Sequence, residues 1–319
     1  MVSLCHQYGI VTITIAFKQD EDDEIPSGYL FYPSSIAPIA AGYAQFDILQ
    51  YLITAAHRKQ IKVKAWIPQF HDQVAYKRHD SWRMMVYQGG KVIPFATNSS
   101  EYFVNPLHPD VQHYERSIIA EILTRYSIDG IVLDWVRFDG YPMDLSDTTR
   151  RRYKKMFGYD PLSIDFTTKN SKRIQWNHYR MDAIASYIQS VKTIIRAIKP
   201  AVTLDVFVLS PAWKELAQDP QRFAHSVDNI SPMCYYDDWK YPVDWIYGKR
   251  SDAIVPLVRR KAPNTEIIPV FDTNWEPQVY QKIFANLHPV KTISWFHYGK
   301  WTSREIRRIY EYTTSPTVQ

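Results

Sequence analysis

The stretch DGIVLDWVRFDGYP, residues 129–142, sets an aspartate inside an apolar run that otherwise reads as a buried strand. Ile131, Val132, Trp135 and Val136 favour an extended chain, and turn-forming residues bound the run on both sides. By strand alternation Asp134 shares a face with Val132 and Val136, which turns it toward a core. A lone carboxylate there is costly unless it is paired. Asp134 therefore reads either as half of a structural ion pair, with Arg137 as partner, or as a group kept for chemistry. Asp129 reads as a turn or capping residue before the strand, and Asp139 as part of the loop beyond it.

The neighbouring segments repeat one pattern. Residues 9–17 (GIVTITIAF) read as a strand, residues 46–60 carry apolar side chains at helical spacing, and residues 61–70 (IKVKAWIPQF) read as a second strand. A short strand at 101–106 (EYFVNP) precedes a helix at 108–126 with Ile118, Ile122 and Tyr126 on one face. The clearest helix spans 179–200, where Ile184, Ile188, Val191, Ile195 and Ile198 share a side and Pro200 marks the stop. Residues 202–211, 229–238, 265–275 and 291–301 supply four more strand candidates, with helical segments between them. Eight alternating units predict an α/β chain folded as a single (β/α)8 TIM barrel over residues 1–319. Residues 71–100, with a hairpin turn in YQGGKV, form an insertion after the second strand. No glycine-rich phosphate loop follows the first strand, which disfavours a nucleotide-binding sheet.

Hydrophobic residues make up 45% of the 319 and charged residues 22%, as in a soluble globular protein. The net charge of +5 is modest. The basic runs at 150–155 and 259–261 read as solvated helix faces, so no nucleic-acid partner is expected. Cys5 and Cys234 read as free, buried residues. No segment is apolar over the roughly 20 residues a membrane crossing needs, and the first residues do not make a convincing signal peptide. A cytoplasmic chain and an excised mature domain both fit. Oligomeric state is not legible.

In a barrel, catalytic groups stand at the C-terminal ends of the strands. Here those ends carry Gln69, His71 and Asp72; Asn105 and His108; Asp134, Arg137 and Asp139; then Ser210 and Trp213. Tyr235, Tyr236, Asp237 and Asp238 follow, then Asp272, Asn274 and Trp275, and finally Trp295, His297, Tyr298 and Trp301. Carboxylates with flat aromatic faces suit glycosidic cleavage, which needs one carboxyl to protonate the leaving oxygen, a second to attack or to activate water, and platforms for the rings. Aromatic residues reach 15% of the chain, including 23 Tyr and 10 Trp. No serine-nucleophile elbow and no HExxH motif is present. The scattered histidines read as substrate or packing residues, and no metal or cofactor is expected. Asp20 and the acids after it read as a solvated loop overhanging the mouth.

The ordered series YLFYPSSIAP (29–38), AAHRKQIKVKAWIPQF (55–70), FVNPLHPDVQHYERSIIAEILTRYSIDGIVLDWVRFD (103–139), YRMDAIASYIQSVKTIIRAIKPAVTLDV (179–206) and ISPMCYY (230–236) resembles the glycosyl hydrolase-like ten family of bacterial proteins. More distantly it is similar to poly-N-acetylglucosamine hydrolase barrels. The resemblance implies a (β/α)8 barrel, action on polysaccharide, and an exported or envelope location. The family's acidic residue after DGI falls on Asp134. The second acidic residue that usually follows is Trp135 here, and the Asn-Pro after the second strand is replaced by Pro68 and Gln69.

These readings converge on a glycoside hydrolase acting on an exopolysaccharide or cell-wall glycan. Asp134 is one catalytic carboxyl, with its partner among Asp272, Asp237 and Asp238. Arg137, Trp135, His71, Asn105, Tyr235, Tyr236, Trp275, Trp295 and Trp301 are the candidate substrate contacts. A catalytically silent glycan-binding barrel is the alternative, and a metal-dependent deacetylase a third. Retention or inversion depends on a carboxyl separation, about 5 Å against about 6.5–9.5 Å, that sequence does not give.

Overall fold

The computed structural model describes residues 1–20, 26–96, 101–273, 275–287, 290–296 and 303–314. The chain begins with α1 (Val2–Gln7), β1 (Thr12–Ala16), α2 (Ile48–His57) and β2 (Lys62–Pro68). It continues through α3 (Gln73–Arg78), the hairpin strands β3 (Met85–Gln88) and β4 (Lys91–Pro94), α4 (Pro109–Arg125) and β5 (Gly130–Asp134). Next come α5 (Asp147–Phe157), α6 (Ser171–Ile198), β6 (Thr203–Val208), α7 (Pro220–Phe223) and β7 (Asn229–Pro232). The last elements are α8 (Ile254–Lys261), β8 (Glu266–Ile267), β9 (Val270–Asp272), α9 (Pro277–Asn286), β10 (Ser294–Phe296) and α10 (Ser303–Thr314).

Strands β1, β2, β5, β6, β7 and β8 pair in parallel in that order, and β9 pairs in parallel with β10. β8 and β9 are one strand bent at Pro269: Cys234 on the β7 side donates its N–H to Val270 O at 2.9 Å. Helices fill each parallel crossover, giving the α/β barrel expected from the alternating units. Among the described residues no backbone pairing joins β10 to β1, but the Phe296 and Trp66 rings meet 6.1 Å apart across that side.

The strand count differs from expectation at one place. Residues 102–104 do not enter the barrel between β2 and β5; those two strands pair directly. Val104 N–H goes to Phe70 O, and Tyr102 O and Phe103 O accept from Asp72 and Met84, so the segment's hydrogen bonds are used up on the insertion. Within that insertion Gly89 (φ 59°) and Gly90 (φ 80°) form the two-residue turn between β3 and β4, a turn that needs left-handed backbone at both positions.

The long helix α6 starts at Ser171, well before the stretch of strongest apolar spacing, because the Asn170 side chain caps it by accepting from Arg173 N–H at 2.8 Å. Ile184, Ile188, Val191 and Ile195 are buried as expected, while Ile198 is exposed. Cys5 and Cys234 are both free and buried. No helix among the described residues is long and apolar enough to cross a membrane.

The parallel register sorts side chains into layers on the inner face. Lys64, Gly130 and Thr203 lie opposite one another, and Trp66 faces Val132, which faces Asp205. Lys64 Nζ reaches Asp205 Oδ2 at 2.5 Å, and Asn229 Nδ2 donates to Asp205 Oδ1 at 2.7 Å. Burial raises the Asp205 carboxyl, and the Lys64 charge opposes that rise. The Lys64 stem passes over Gly130, where an added Cβ would lie 2.6 Å from Thr203 Oγ1 and 2.9 Å from Lys64 Cγ. The glycine before Ile131 is thus demanded by a crossing side chain. Asp129 accepts from Val63 N–H at 2.7 Å and meets His57 Nε2 at 2.8 Å, tying the bottom of β2 in place.

Removing Lys64 as Lys64→Met strands a buried carboxylate, and we expect a loss of about 3–5 kcal/mol. Gly130→Ala overpacks the same crossing and should cost about 1–3 kcal/mol. Urea unfolding measures both; a loss under about 1 kcal/mol for Lys64→Met would show that the pair does not anchor the barrel.

Candidate active site

Asp134 is the last residue of β5, in register with Pro68 of β2. It is 6% exposed, its Oδ2 accepts from Trp66 Nε1 at 3.1 Å, and its Oδ1 accepts from Trp135 N–H at 2.7 Å. Two N–H donors suit an ionised carboxylate, which can only accept. The next residue, Trp135, has φ 55°, a left-handed conformation that costs a bulky side chain about 1–2 kcal/mol. That turn breaks the alternation of β5. Asp134 and Trp135, adjacent in sequence, consequently line the same pocket instead of opposite faces.

The pocket, about 160 Å3, lies at the C-terminal ends of the strands. Asp20, Trp66, Asp134, Trp135, Arg137, Phe207, Leu209, Met233, Tyr235, Trp239 and Phe296 line it. The Arg137 guanidinium lies 3.7 Å from the Trp135 ring centroid, a cation–π contact, and the His71 ring packs on the same indole at 4.5 Å. His71 is fully buried, and burial, with the Arg137 charge second, lowers it to about 4. It is a neutral imidazole at ordinary pH. Burial first, then the charge of Asp134, with Asp272 and Asp238 adding, holds the Tyr235 hydroxyl well above its ordinary value. It stays protonated and able to donate.

The candidate residues thus divide. Asp134, Trp135, Arg137 and Tyr235 meet in the pocket. Asp272 is half-buried and Asp238 exposed; both stand close enough to act electrically on Tyr235 without lining the pocket. Burial, then the charges of Asp237 and Asp272, raises Asp238. Asp237 is exposed and accepts from Trp275 Nε1 at 3.0 Å. Trp275 is core, 4% exposed and packed on Tyr236, Phe271 and Tyr280. Trp295 faces outward onto Phe271, Tyr280 and Phe284, and its neighbour Phe296 takes the inner position. Asn105 stands apart: its Nδ2 donates to Asp144 Oδ2 at 2.6 Å inside a buried knot with Ser146 and Thr149, where burial pushes Asp144 up to about 6. Trp301, with Asn274, His297 and Tyr298, lies outside the described residues.

Sequence reading missed Trp66, Phe207, Leu209, Met233, Trp239, Phe296 and Asp20. Alternation held the signal for Phe296, and for Trp66, which shares its face with Lys64. The expectation of a solvated loop is corrected at Asp20, which is 6% exposed. The preceding Lys18 draws the chain inward: its Nζ meets Glu115 Oε1 at 2.7 Å, Asp72 Oδ2 at 2.9 Å and Gln69 O at 3.2 Å, all buried.

A second set of contacts fixes the loop after β5. Arg180 of α6, buried and lowered to about 9 by that burial, donates to Gly140 O, to Met143 O at 2.9 Å and to Glu215 O at 2.9 Å. Trp176 Nε1 donates to Tyr141 O at 2.8 Å. Among the described residues no three His, Cys, Asp or Glu side chains gather as a metal site.

Comparison with known proteins agrees with this architecture. The chain is 25% identical over 266 residues to the glycosyl hydrolase DigH of Escherichia coli K12, covering 73% of this chain and 52% of that protein. It therefore spans about half the length of the curated relatives it matches. The PgaB (BpsB) glycoside hydrolase domain of Bordetella bronchiseptica superposes with a TM-score of 0.73 at 12% identity, covering 93% of this chain and 86% of that one. The β-galactosidase of Marinomonas ef1 gives 0.68 at 13% identity, covering 97% and 56%. These distant likenesses bear on the fold. The sequence family described as glycosyl hydrolase-like 10 matches residues 23–290, most of the chain, and this protein belongs to that family.

Proposed function

We propose that the protein is a glycoside hydrolase that cleaves a bacterial exopolysaccharide or cell-wall glycan, an amino-sugar polymer in the first instance. The observation that carries this reading is Asp134, a carboxylate with two N–H donors, at the mouth of a barrel pocket walled by Trp66, Trp135, Tyr235, Trp239 and Phe296. A carboxylate among ring-sized faces fits cleavage at an anomeric carbon held by stacking. Membership of a glycosyl hydrolase-like family and the likeness to the PgaB glycoside hydrolase domain support glycosidic hydrolysis as the reaction class. In this mechanism Asp134 acts as nucleophile or as the base that deprotonates water, and Tyr235 and Arg137 contact substrate hydroxyls. His71, neutral and buried behind Trp135, holds that indole in place.

Incubation with N-acetylglucosamine and N-acetylgalactosamine polymers, followed by product mass, tests the reading. Asp134→Asn should slow cleavage by about 10²–10⁴-fold, and Trp239→Ala should raise KM roughly five-fold through about 1 kcal/mol of lost stacking. Equal cleavage by wild type and Asp134→Asn removes Asp134 from the mechanism. Binding without cleavage identifies a catalytically silent glycan-binding barrel.

The His71 environment predicts a pH effect on stability. Its folded value, about 4, lies below the ordinary 6.5. The unfolded chain therefore takes up the proton first, and stability present above about pH 6.5 is lost as pH falls toward 4, by up to about 3 kcal/mol. Asp144, raised to about 6, contributes the opposite slope. The difference between wild type and His71→Gln in urea unfolding isolates the His71 part: the gap should narrow from pH 7 to pH 4.5, and a constant gap would contradict a neutral, buried His71.

A further inference from the structure

The three acids that sequence reading offers as partners for Asp134 are poorly placed. Asp237 and Asp238 are exposed, Asp272 is half-buried, and none of the three lines the pocket. Asp20 does, and among the described residues Asp20 and Asp134 are its only carboxylates. Each is 6% exposed. Asp20 precedes the matched residues 23–290.

The backbone leading to Asp20 is held firmly. Lys18 is locked to Glu115, Asp72 and Gln69 O. Burial alone would lower the Lys18 ammonium, but the charges of Asp72 and Glu115 outweigh it and keep the cation. Gln19 donates its N–H to Tyr29 O at 2.7 Å and accepts from Gly28 N–H at 3.1 Å. Asp20 Oδ1 then lies 3.8 Å from Nδ1 of the neutral His71. β1, which leads to Asp20, and β5, which ends at Asp134, flank β2 on either side. Two strand spacings separate β1 from β5 by about 10 Å, and Asp20 follows β1 by four residues. Trp66 of β2 lines the same pocket and donates its Nε1–H to Asp134. Two acids lining one pocket of about 160 Å3 suit the roughly 5–10 Å separation that glycosidic cleavage requires.

We infer that Asp20 is the general acid that works with Asp134, an assignment that rests on the hydrolase reading above. The Asp20 carboxyl gives its proton to the glycosidic oxygen as the bond from that oxygen to the anomeric carbon breaks, and the bonding electron pair leaves with the oxygen. Water supplies the hydroxyl that ends on the anomeric carbon. Its remaining proton passes to the carboxylates and restores the acid, so each cleaved bond consumes one water.

The test uses the amino-sugar polymers together with 2,4-dinitrophenyl glycosides of N-acetylglucosamine and N-acetylgalactosamine, whose leaving group departs without a proton. Asp20→Asn should cleave polymer about 10²–10⁴-fold more slowly, keep dinitrophenyl cleavage within about five-fold of wild type, and lose the alkaline limb of the pH profile. Retained dinitrophenyl cleavage also shows that the variant folds. Asp134→Asn should lose both activities. Unchanged polymer cleavage by Asp20→Asn, or equal loss on both substrates, overturns the assignment and leaves the hydrolase reading standing. If the wild type cleaves polymer alone, the pH profile decides: a missing alkaline limb in Asp20→Asn supports the role, and a retained one overturns it. A wild type that cleaves nothing overturns both.

Discussion

The Lys64 ammonium on β2 reaches over Gly130 of β5 to the Asp205 carboxylate on β6, 2.5 Å away, and Asn229 on β7 occupies the other oxygen. One buried ion pair, with Asn229, links β2, β6 and β7 and crosses β5 at Gly130. Breaking such a pair leaves an uncompensated ion, so the interaction acts more as a condition on register than as a source of stability. A slip of one residue in β5 would turn Asp134 out of the barrel and put a side chain where Gly130 must stand. The register that satisfies the base of the barrel therefore also delivers Asp134 to its mouth.

At the mouth, regular strand geometry is not enough. Alternation would send Trp135 away from the pocket, and the left-handed turn at that residue brings it back. Strain of this kind persists only where neighbours over-determine it. Arg137 and His71 pack on the Trp135 ring, and Arg180 and Trp176 of α6 hold the backbone from Gly140 to Met143 through its carbonyls. The Lys18 cluster does the same for the end of β1. Burial raises the Glu115 carboxyl, and the Lys18 ammonium it holds opposes that rise. Both loops that carry pocket acids are anchored by buried charge.

The barrel could be read from sequence because its signals are local: β-branched runs, a helix of apolar period stopped by Pro200, and the DGI turn. Asp134 could be read because a charge in an apolar run stands out whatever surrounds it. Residues 102–104 could not, since their strand-like composition is satisfied equally by antiparallel bridges to an insertion. Trp275 and Trp295 were misjudged as platforms for a related reason: an indole at a strand end is as useful against α9 as against a sugar, and only the parity of the bent strand separates the two. Asp20 was hidden by its neighbours. A run of acids reads as solvated, and the burial of its first member is set by Lys18 finding Glu115, 97 residues away.

The aromatic excess, which first suggested sugar platforms, is mostly structural. Tyr153, Trp176, Tyr179 and Phe157 form a separate packed group beside α5 and α6. The part that reaches the pocket is supported from behind. Trp239 lines the pocket, Trp213 packs edge-on against it at 5.0 Å and 89°, and Trp213 Nε1 donates to Tyr241 OH at 3.4 Å. Tyr241 stacks at 4.7 Å on Trp245, which is fully buried. The chain of rings ends in the core, so the outermost indole has few rotamers left to lose. A platform ordered in advance spends little of its stacking energy on immobilising itself. Part of the aromatic excess thus serves to hold one pocket indole still.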